Sequence, residues 1–265
     1  MQAFAFDRPA TLTDAARAST ADGAKLVAGG QSLLAAMKLG LAAPETLVDL
    51  AGLADLVGIQ VAGGVVRIGA MTPHAAVADS AEVAAAIPAL ADLAGQIGDR
   101  QVRHRGTLGG SLANNDPAAC YPAAVLGLGA TVHTNQRDIA ADDFFKGLYA
   151  TALTSGEVIT AVSFPVPAQA GWQKFKQPAS RFALVGVFAS QGPQGVRVAV
   201  TGAAAGVFRA TSLEVLLGAD LPRSWSPAAL VGASVSTQDL SSDLHASAEY
   251  RAALIPVLTG RAVAG

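Results

Sequence analysis

The chain has 265 residues and a mass of 26.5 kDa, enough for one large domain or two modest ones with ample core. Its hydrophobic fraction of 51% is carried largely by alanine, aromatics make up 5%, and charge is sparse at 14% with a net of −2. That balance argues against a nucleic-acid binder with a basic stripe and against an electrostatic membrane anchor, and the single Cys120 excludes an internal disulfide or a four-cysteine iron–sulfur site built by this chain alone.

The histidines His74, His104, His133 and His245 are scattered without metal-ligand spacing, so no metal site is expected. No apolar run approaches the ~18–20 residues of a membrane-spanning helix. The start, Met1 to Pro9, lacks the basic-then-apolar plan of a signal peptide, and a cytoplasmic protein is expected. Redox chemistry here requires an organic cofactor.

In chain order, Thr11 to Thr20 is an Ala-rich helix candidate with Thr11 or Thr13 as N-cap. Lys25–Ala28 reads as a short buried strand, Ser32–Leu39 as a helix, and Thr46–Leu50 as a second strand. Gly58 to Gly69 reads as a hairpin of two β-branched runs around Gly63-Gly64. A helical region follows from Pro73 to Ile97, broken or kinked near Pro88. Tyr121–Gly127 reads as a helix opened by Pro122, and Ala130–Thr134 and Val158–Phe164 as strands. The run from Pro165 to Gly171, punctuated by prolines and uncharged, is the best linker candidate. Beyond it, strands are expected at Phe182–Ser190 and Gly195–Thr201, and helices at Thr211–Leu217, Pro227–Ala233 and Asp243–Val263. This mixed order suits an α+β or α/β layered architecture.

Two glycine pairs carry the chemistry. Gly29-Gly30 follows Leu26-Val27-Ala28 and precedes Gln31-Ser32-Leu33, and Gly109-Gly110 sits in Thr107-Leu108-Gly109-Gly110-Ser111. Glycine pairs let a backbone turn tightly and bring N–H groups close to a ligand, and such groups at a helix start suit a nucleotide diphosphate. A single such turn means little; two in the same format suggest two loops closing on one ligand. On this reading the Thr107 and Ser111 hydroxyls and the glycine N–H groups surround phosphate oxygens. Asn114, Asn115 and Asp116 then reach ribityl or ribose hydroxyls. Arg100, Arg103 and Arg105 are either a solvated face or functional cations.

The remaining candidates read as structural. His74 is a satisfied or solvent-facing histidine at a helix start, Asp142-Asp143 a helix cap, and Trp172 and Trp225 packing residues or interface anchors. No order of Ser, His and Asp marks a hydrolase, and there is no P-loop and no Cys-x-x-Cys.

Ala28-Gly29-Gly30-Gln31-Ser32-Leu33, the run from Gln101-Val102-Arg103 through Gly106 to Ser111, and Ala130-Thr131-Val132 together resemble the flavoprotein subunit of molybdenum hydroxylases. This family includes the medium subunit of carbon monoxide dehydrogenase-type enzymes and the FAD domain of xanthine dehydrogenase. The likeness continues through Gly156 to Thr160, Lys174-Phe175-Lys176-Gln177 and Ala183-Leu184-Val185. It implies an α+β chain: a PCMH-type FAD-binding domain at residues 1–165, made of two α/β subdomains (about 1–55 and 56–165), then a C-terminal α+β domain at 172–265 with a small antiparallel sheet and helices. By the resemblance, Leu26, Val27, Ala28, Gly29, Gly30, Gln31, Ser32 and Leu33, with Thr107, Gly109, Gly110 and Ser111, line the diphosphate and ribityl region. Asn115 and Asp116 reach the ribityl region or stand in for a carboxylate that relatives often carry where this chain has Cys120. Ile97 packs on the cofactor, Ile159 meets the flavin's polar edge through its backbone, and Lys176 lies near the ring system.

No residue of this chain is expected to act on the hydroxylated substrate. The resemblance implies non-covalent FAD that relays electrons from [2Fe–2S] clusters of a small subunit to an external acceptor. Molybdopterin sits on a large subunit, and the assembly is a dimer of heterotrimers. In that setting Arg100, Arg103 and Arg105 face either the diphosphate or the iron–sulfur subunit. The alternatives are a stand-alone flavin reductase or oxidase of the same fold, and a non-catalytic nucleotide-binding assembly module.

Overall fold

The computed structural model describes residues 2–265. The first layer consists of β1 (Ala5–Asp7), α1 (Leu12–Ala18), β2 (Ala24–Val27), α2 (Leu33–Lys38) and β3 (Thr46–Asp49). Its strands form a parallel sheet in the order β1-β3-β2. Parallel neighbours need crossover connections, and α1 and α2 supply them. Thr11 caps α1 by accepting from the Asp14 N–H.

A second, antiparallel sheet runs β4-β5-β10-β6-β7. It comprises β4 (Ile59–Ala62), β5 (Val65–Gly69), β6 (Thr131–Thr134), β7 (Asp138–Ala140) and β10 (Ile159–Pro165). Val66, Ile68, Val132, Ile139, Val162 and Phe164 point to one face and are buried in the largest core cluster, so the period-two alternation of these runs is realised in space. Against that face pack α3 (His74–Ala78), α4 (Ala81–Ala86), α5 (Pro88–Gly95), α7 (Leu108–Asn114) and α8 (Tyr121–Gly127), while α6 (Arg100–Arg105), which buries no residue, lies against α3. The helical region expected from Pro73 to Ile97, broken or kinked near Pro88, does break there, and it breaks a second time before Ser80, giving three helices. Ser80 starts α4 by accepting from the Val83 N–H, and Pro88 opens α5 at a first-turn position. A four-residue helix, α9 (Ala141–Phe144), leads into the small hairpin β8 (Phe145–Gly147) and β9 (Ala150–Thr151).

The third sheet, β11-β12-β13-β14, is antiparallel: β11 (Gln169–Lys176), β12 (Ala183–Gly192), β13 (Gly195–Thr201) and β14 (Phe208–Arg209). Its strand β12 is buried nearly end to end because α8 covers one face while α10 (Thr211–Gly218) and α11 (Ala248–Ala264) cover the other. The linker expected at Pro165–Gly171 shrinks to residues 166–168: Pro165 closes β10 and Gln169 opens β11. Gly171 is there for close approach, since a Cβ at that position would overlap the Ala262 carbonyl of α11. Two further helix expectations shorten. Pro227–Leu230 is a 3-10 turn, and α11 begins only at Ala248, capped by Ser247. Asp243 is drawn out of that helix by accepting from the His245 and Ala246 N–H groups and pairing with Arg251 at 2.7 Å. Trp172 and Trp225 are buried packing residues, as expected.

Candidate functional site

The two glycine segments touch. A Cβ on Gly29 would overlap the Arg105 carbonyl and lie 2.7 Å from the Gly106 Cα, and one on Gly110 would lie 3.3 Å from the Ala28 Cβ. The β2–α2 loop is thus pressed against the α6–α7 junction, and only glycine allows the approach. Gly30 has φ +74°, a left-handed value that completes the turn into α2. The N–H groups of Gly29, Gly30, Gln31, Ser32 and Leu33 have no intramolecular acceptor among the described residues. None of these residues is buried, so the loop presents a run of consecutive free donors. Leu26 and Val27 seat it on the apolar clusters beneath the first sheet.

The second segment works differently from expectation. The Gly109 N–H donates to the Ala70 carbonyl at 2.8 Å, and the Gly110 N–H to the Thr107 hydroxyl at 3.2 Å. The Leu108 and Ser111 N–H groups are engaged as well. These glycines therefore offer no free N–H to a ligand; their role is close packing. A Cβ on Gly109 would stand 2.6 Å from the Ala70 Cβ. What this segment does present is the Ser111 hydroxyl, half-buried and without a partner among the described residues. Thr107, buried, caps α7.

Behind the junction sits His74. It is buried, with its Nδ1 unpartnered and its Nε2 2.5 Å from where a Cβ on Gly106 would stand. Its backbone N–H holds the Gly106 carbonyl at 2.9 Å. Burial, reinforced by the Arg103 cation, pushes the imidazole down to about 4, so it is neutral at pH 7. Its ring meets Tyr121 at a centroid distance of 5.3 Å. Next to Tyr121, the buried Cys120 thiol lies 3.3 Å from the Lys174 ammonium, which also donates to the Gln96 carbonyl at 3.0 Å. Burial pushes the Cys120 thiol up, so the pair is a neutral thiol beside a cation. A chain of contacts thus runs from Gly29 through Gly106, His74, Tyr121 and Cys120 to Lys174 and on to the segment carrying Ile97.

Lys176, the lysine singled out in the sequence, is exposed; Lys174, two residues earlier, is the one that reaches Cys120. A register shift between Phe175 and Lys176 separates the two. Ile97 is partly buried against the main core, and its carbonyl accepts from Arg103 at 3.1 Å. Arg103 is therefore folded back on its own segment, leaving Arg100 and Arg105 as the exposed cations of α6. Ile159 is buried at the start of β10, beside a bulge.

Asn115 is buried with φ +43°, and its side-chain amide donates to the carbonyls of Gly147 at 2.8 Å and Ala150 at 2.7 Å. Its N–H groups are engaged in holding the β8–β9 loop, so only the unpartnered Oδ1 is left for a ligand hydroxyl. Asp116 accepts from the Ala118 N–H at 2.9 Å and from the Tyr149 hydroxyl at 3.4 Å. The sequence reading missed Lys174, Tyr149 and the buried state of His74. Asp142 and Asp143 lie in the first turn of α9 and do not cap it, since Ala140 holds the N-cap position; Asp142 instead pairs with the buried Arg197 at 2.6 Å, which ties α9 to β13.

A hollow of about 740 Å³ between α11 and the Pro227–Val235 segment shares no residue with these loops and has a mostly apolar lining. The convergent polar groups are at the glycine junction. Free donors on a glycine turn, packed against a second glycine-bearing helix start, are chemically suited to a phosphate-bearing cofactor.

Comparison with known proteins sharpens that class. A family model described as the FAD binding domain in molybdopterin dehydrogenase matches residues 2–167. The nicotine 6-hydroxylase medium subunit of Paenarthrobacter nicotinovorans is 36% identical, over 99% of this chain and 97% of its own. The carbon monoxide dehydrogenase medium chain of Afipia carboxidovorans is 35% identical, over 98% and 95%. Among solved structures, reconstituted CO dehydrogenase from Oligotropha carboxidovorans superposes with a TM-score of 0.90 at 33% identity, covering 99% of this chain and 97% of that one. Quinoline 2-oxidoreductase from Pseudomonas putida 86 gives 0.87 at 32% identity, with 99% and 96% covered. The chain belongs to this family: it is an FAD-binding flavoprotein of the molybdenum hydroxylase oxidoreductases. The residues present fit the cofactor, because an anionic diphosphate finds unengaged N–H donors on the 29–33 loop and the Asn115 Oδ1 is a buried acceptor without a donor.

Proposed function

We propose that this chain is the electron-relay subunit of a molybdenum hydroxylase, holding FAD between a donor and an acceptor. When bound, FAD supplies a carrier that takes up electrons singly or in pairs. The chain's own residues bind and orient it. The N–H groups of Gly29 to Leu33 hold the diphosphate, and Ser111 and the Oδ1 of Asn115 meet ribityl hydroxyls. Ile97 and Ile159 border the ring, and the Lys174 ammonium, fixed by Gln96 and Cys120, supplies positive charge beside it. Lys176 stands further out, as a cation for whatever approaches the ring. No group of this chain is needed as an acid or base on the oxidised substrate.

In this reading residues 1–165 clasp the cofactor between halves 1–55 and 56–165, and residues 172–265 close over one side. A small [2Fe–2S] subunit delivers electrons, a large molybdopterin subunit carries the hydroxylation, and the whole is a cytoplasmic dimer of heterotrimers. The observation that carries the proposal is the Gly29 contact with Arg105, which joins the donor loop to the second glycine segment. Native co-purification with metal analysis tests it. Molybdenum, iron and two further chains are expected with FAD. A flavoprotein isolated alone, reduced by NADPH and turning over a small substrate, would overturn it.

A further inference from the structure

Away from the glycine junction, the outer face of the second sheet carries a hydrogen-bond relay. His133 on β6 places its Nδ1 2.6 Å from the Asp138 Oδ1 of β7 and its Nε2 2.7 Å from the Ser163 Oγ of β10. The three residues are far apart in sequence, but β6 lies between β10 and β7 in the sheet. His133 sits directly opposite Asp138 and opposite Ala161, two residues from Ser163. An Asp carboxylate accepts only, so Nδ1 carries a proton, and in the neutral ring Nε2 then turns its lone pair to the serine hydroxyl, the tautomer a general base needs. Unrelated folds reach the same constellation in different chain orders, which is why scanning for an order does not find it.

Two further groups complete the arrangement. Ser163 has Arg67 of β5 directly opposite on one side and Thr131 of β6 on the other. Opposed residues of antiparallel strands have Cβ atoms about 4.5–5.5 Å apart, within reach of a guanidinium or a hydroxyl. Arg67 is exposed, and neither side chain has an acceptor among the described residues. A cation and a hydroxyl therefore flank the point where negative charge would form on a carbonyl oxygen attacked by Ser163. The face is open and polar, so it selects by reactivity rather than by fit.

We propose that Ser163, with His133 as base and Asp138 as positioning residue, accepts the acyl group of small activated esters and passes it to water. The Ser163 Oγ bonds to the ester carbonyl carbon while its proton moves to the His133 Nε2. The ester C–O bond then breaks, and that proton leaves with the departing oxygen. Water attacks the acyl-serine, gives a proton to His133, and the acid departs as Ser163 recovers its hydroxyl. No electron is transferred, and the activity is independent of the flavin.

The test is p-nitrophenyl acetate with the FAD-loaded protein, following nitrophenolate release and mapping acetyl groups by peptide mass. One acetyl on the Ser163 peptide is expected. Ser163→Ala and His133→Gln should lose it and at least tenfold of the rate. Asp138→Asn should lower kcat and leave KM unchanged, since it frees the wrong tautomer without touching the ester. An unchanged flavin spectrum in each variant shows that the fold is intact. Acetyl groups confined to lysines, or a Ser163→Ala protein as fast as the parent, would overturn the assignment.

Discussion

Gly29 and Gly109 occupy their positions for the same physical reason, since each lets one backbone pass another at a distance no side chain permits. Gly29→Ala should drive the donor loop off the Arg105 carbonyl, weakening FAD binding at least tenfold in a fluorescence titration and lowering stability by about 1–3 kcal/mol. Gly109→Ala should cost similar stability through Ala70. It should affect FAD less, because its N–H is already engaged. His74 gives a pH signature. Its folded value of about 4 lies below the ordinary 6.5, so the unfolded chain takes up the proton first as pH falls. Stability is full above pH 6.5 and declines between 6.5 and 4, by up to about 3 kcal/mol. Urea unfolding at stepped pH should show this slope, and His74→Phe should flatten it. At this scale the sequence was half legible. The glycine pairs stood out, but which N–H groups were free depended on Thr107 and Ala70 capping the second pair, a matter of tertiary contact.

At the scale of elements, one buried carboxylate ties the hairpin turn after β6 to the strand-entry loop before β10. Glu157 accepts from Arg137 at 2.9 Å, from the Thr134 hydroxyl at 2.9 Å and from the Thr154 N–H at 2.9 Å. The Arg137 hydrogen bond, with help from Thr154 and Thr134, holds Glu157 down at about 2. Its contribution is present above the ordinary carboxylate value of 4.5 and is lost as pH falls toward 2, a window below that of His74. Glu157→Gln should cost about 2 kcal/mol at pH 7, discounted for the half-exposed Arg137, and only a small fraction of that at pH 2, where the carboxyl is about half protonated. Thermal melts at the two pH values check it.

Strands with clean alternation, such as β5 and β10, were readable, and so was the buried run of β12. Within the Pro73–Ile97 region the break at Pro88 was readable but the one at Ser80 was not, because a Ser80 cap competes locally with continuation of the helix. The family resemblance singled out Lys176, and nothing in the sequence pointed to Lys174. The bulge that separates them depends on pairing with β12. Ser163, His133 and Asp138 were equally invisible, since strand register alone brings them together.

At the scale of the molecule, the order of layers followed from the alternation of segment types, and the family from the two glycine motifs in their neighbourhoods. The proline-rich segment read as a linker became a near-continuous passage from β10 to β11, because Gly171 docks against α11 and draws the third sheet close. The site as a whole joins the first layer to the second, which no local pattern announces. The central claim is that this junction holds a redox-active FAD, and flavin spectroscopy of the reconstituted chain tests it most directly. The folded protein incubated with FAD and freed of excess should be yellow, hold one flavin per chain and bleach with dithionite, whereas Gly29→Val should fold but stay nearly colourless. A folded wild-type chain that remains colourless in excess FAD, or a Gly29→Val chain that binds as tightly as wild type, would contradict it.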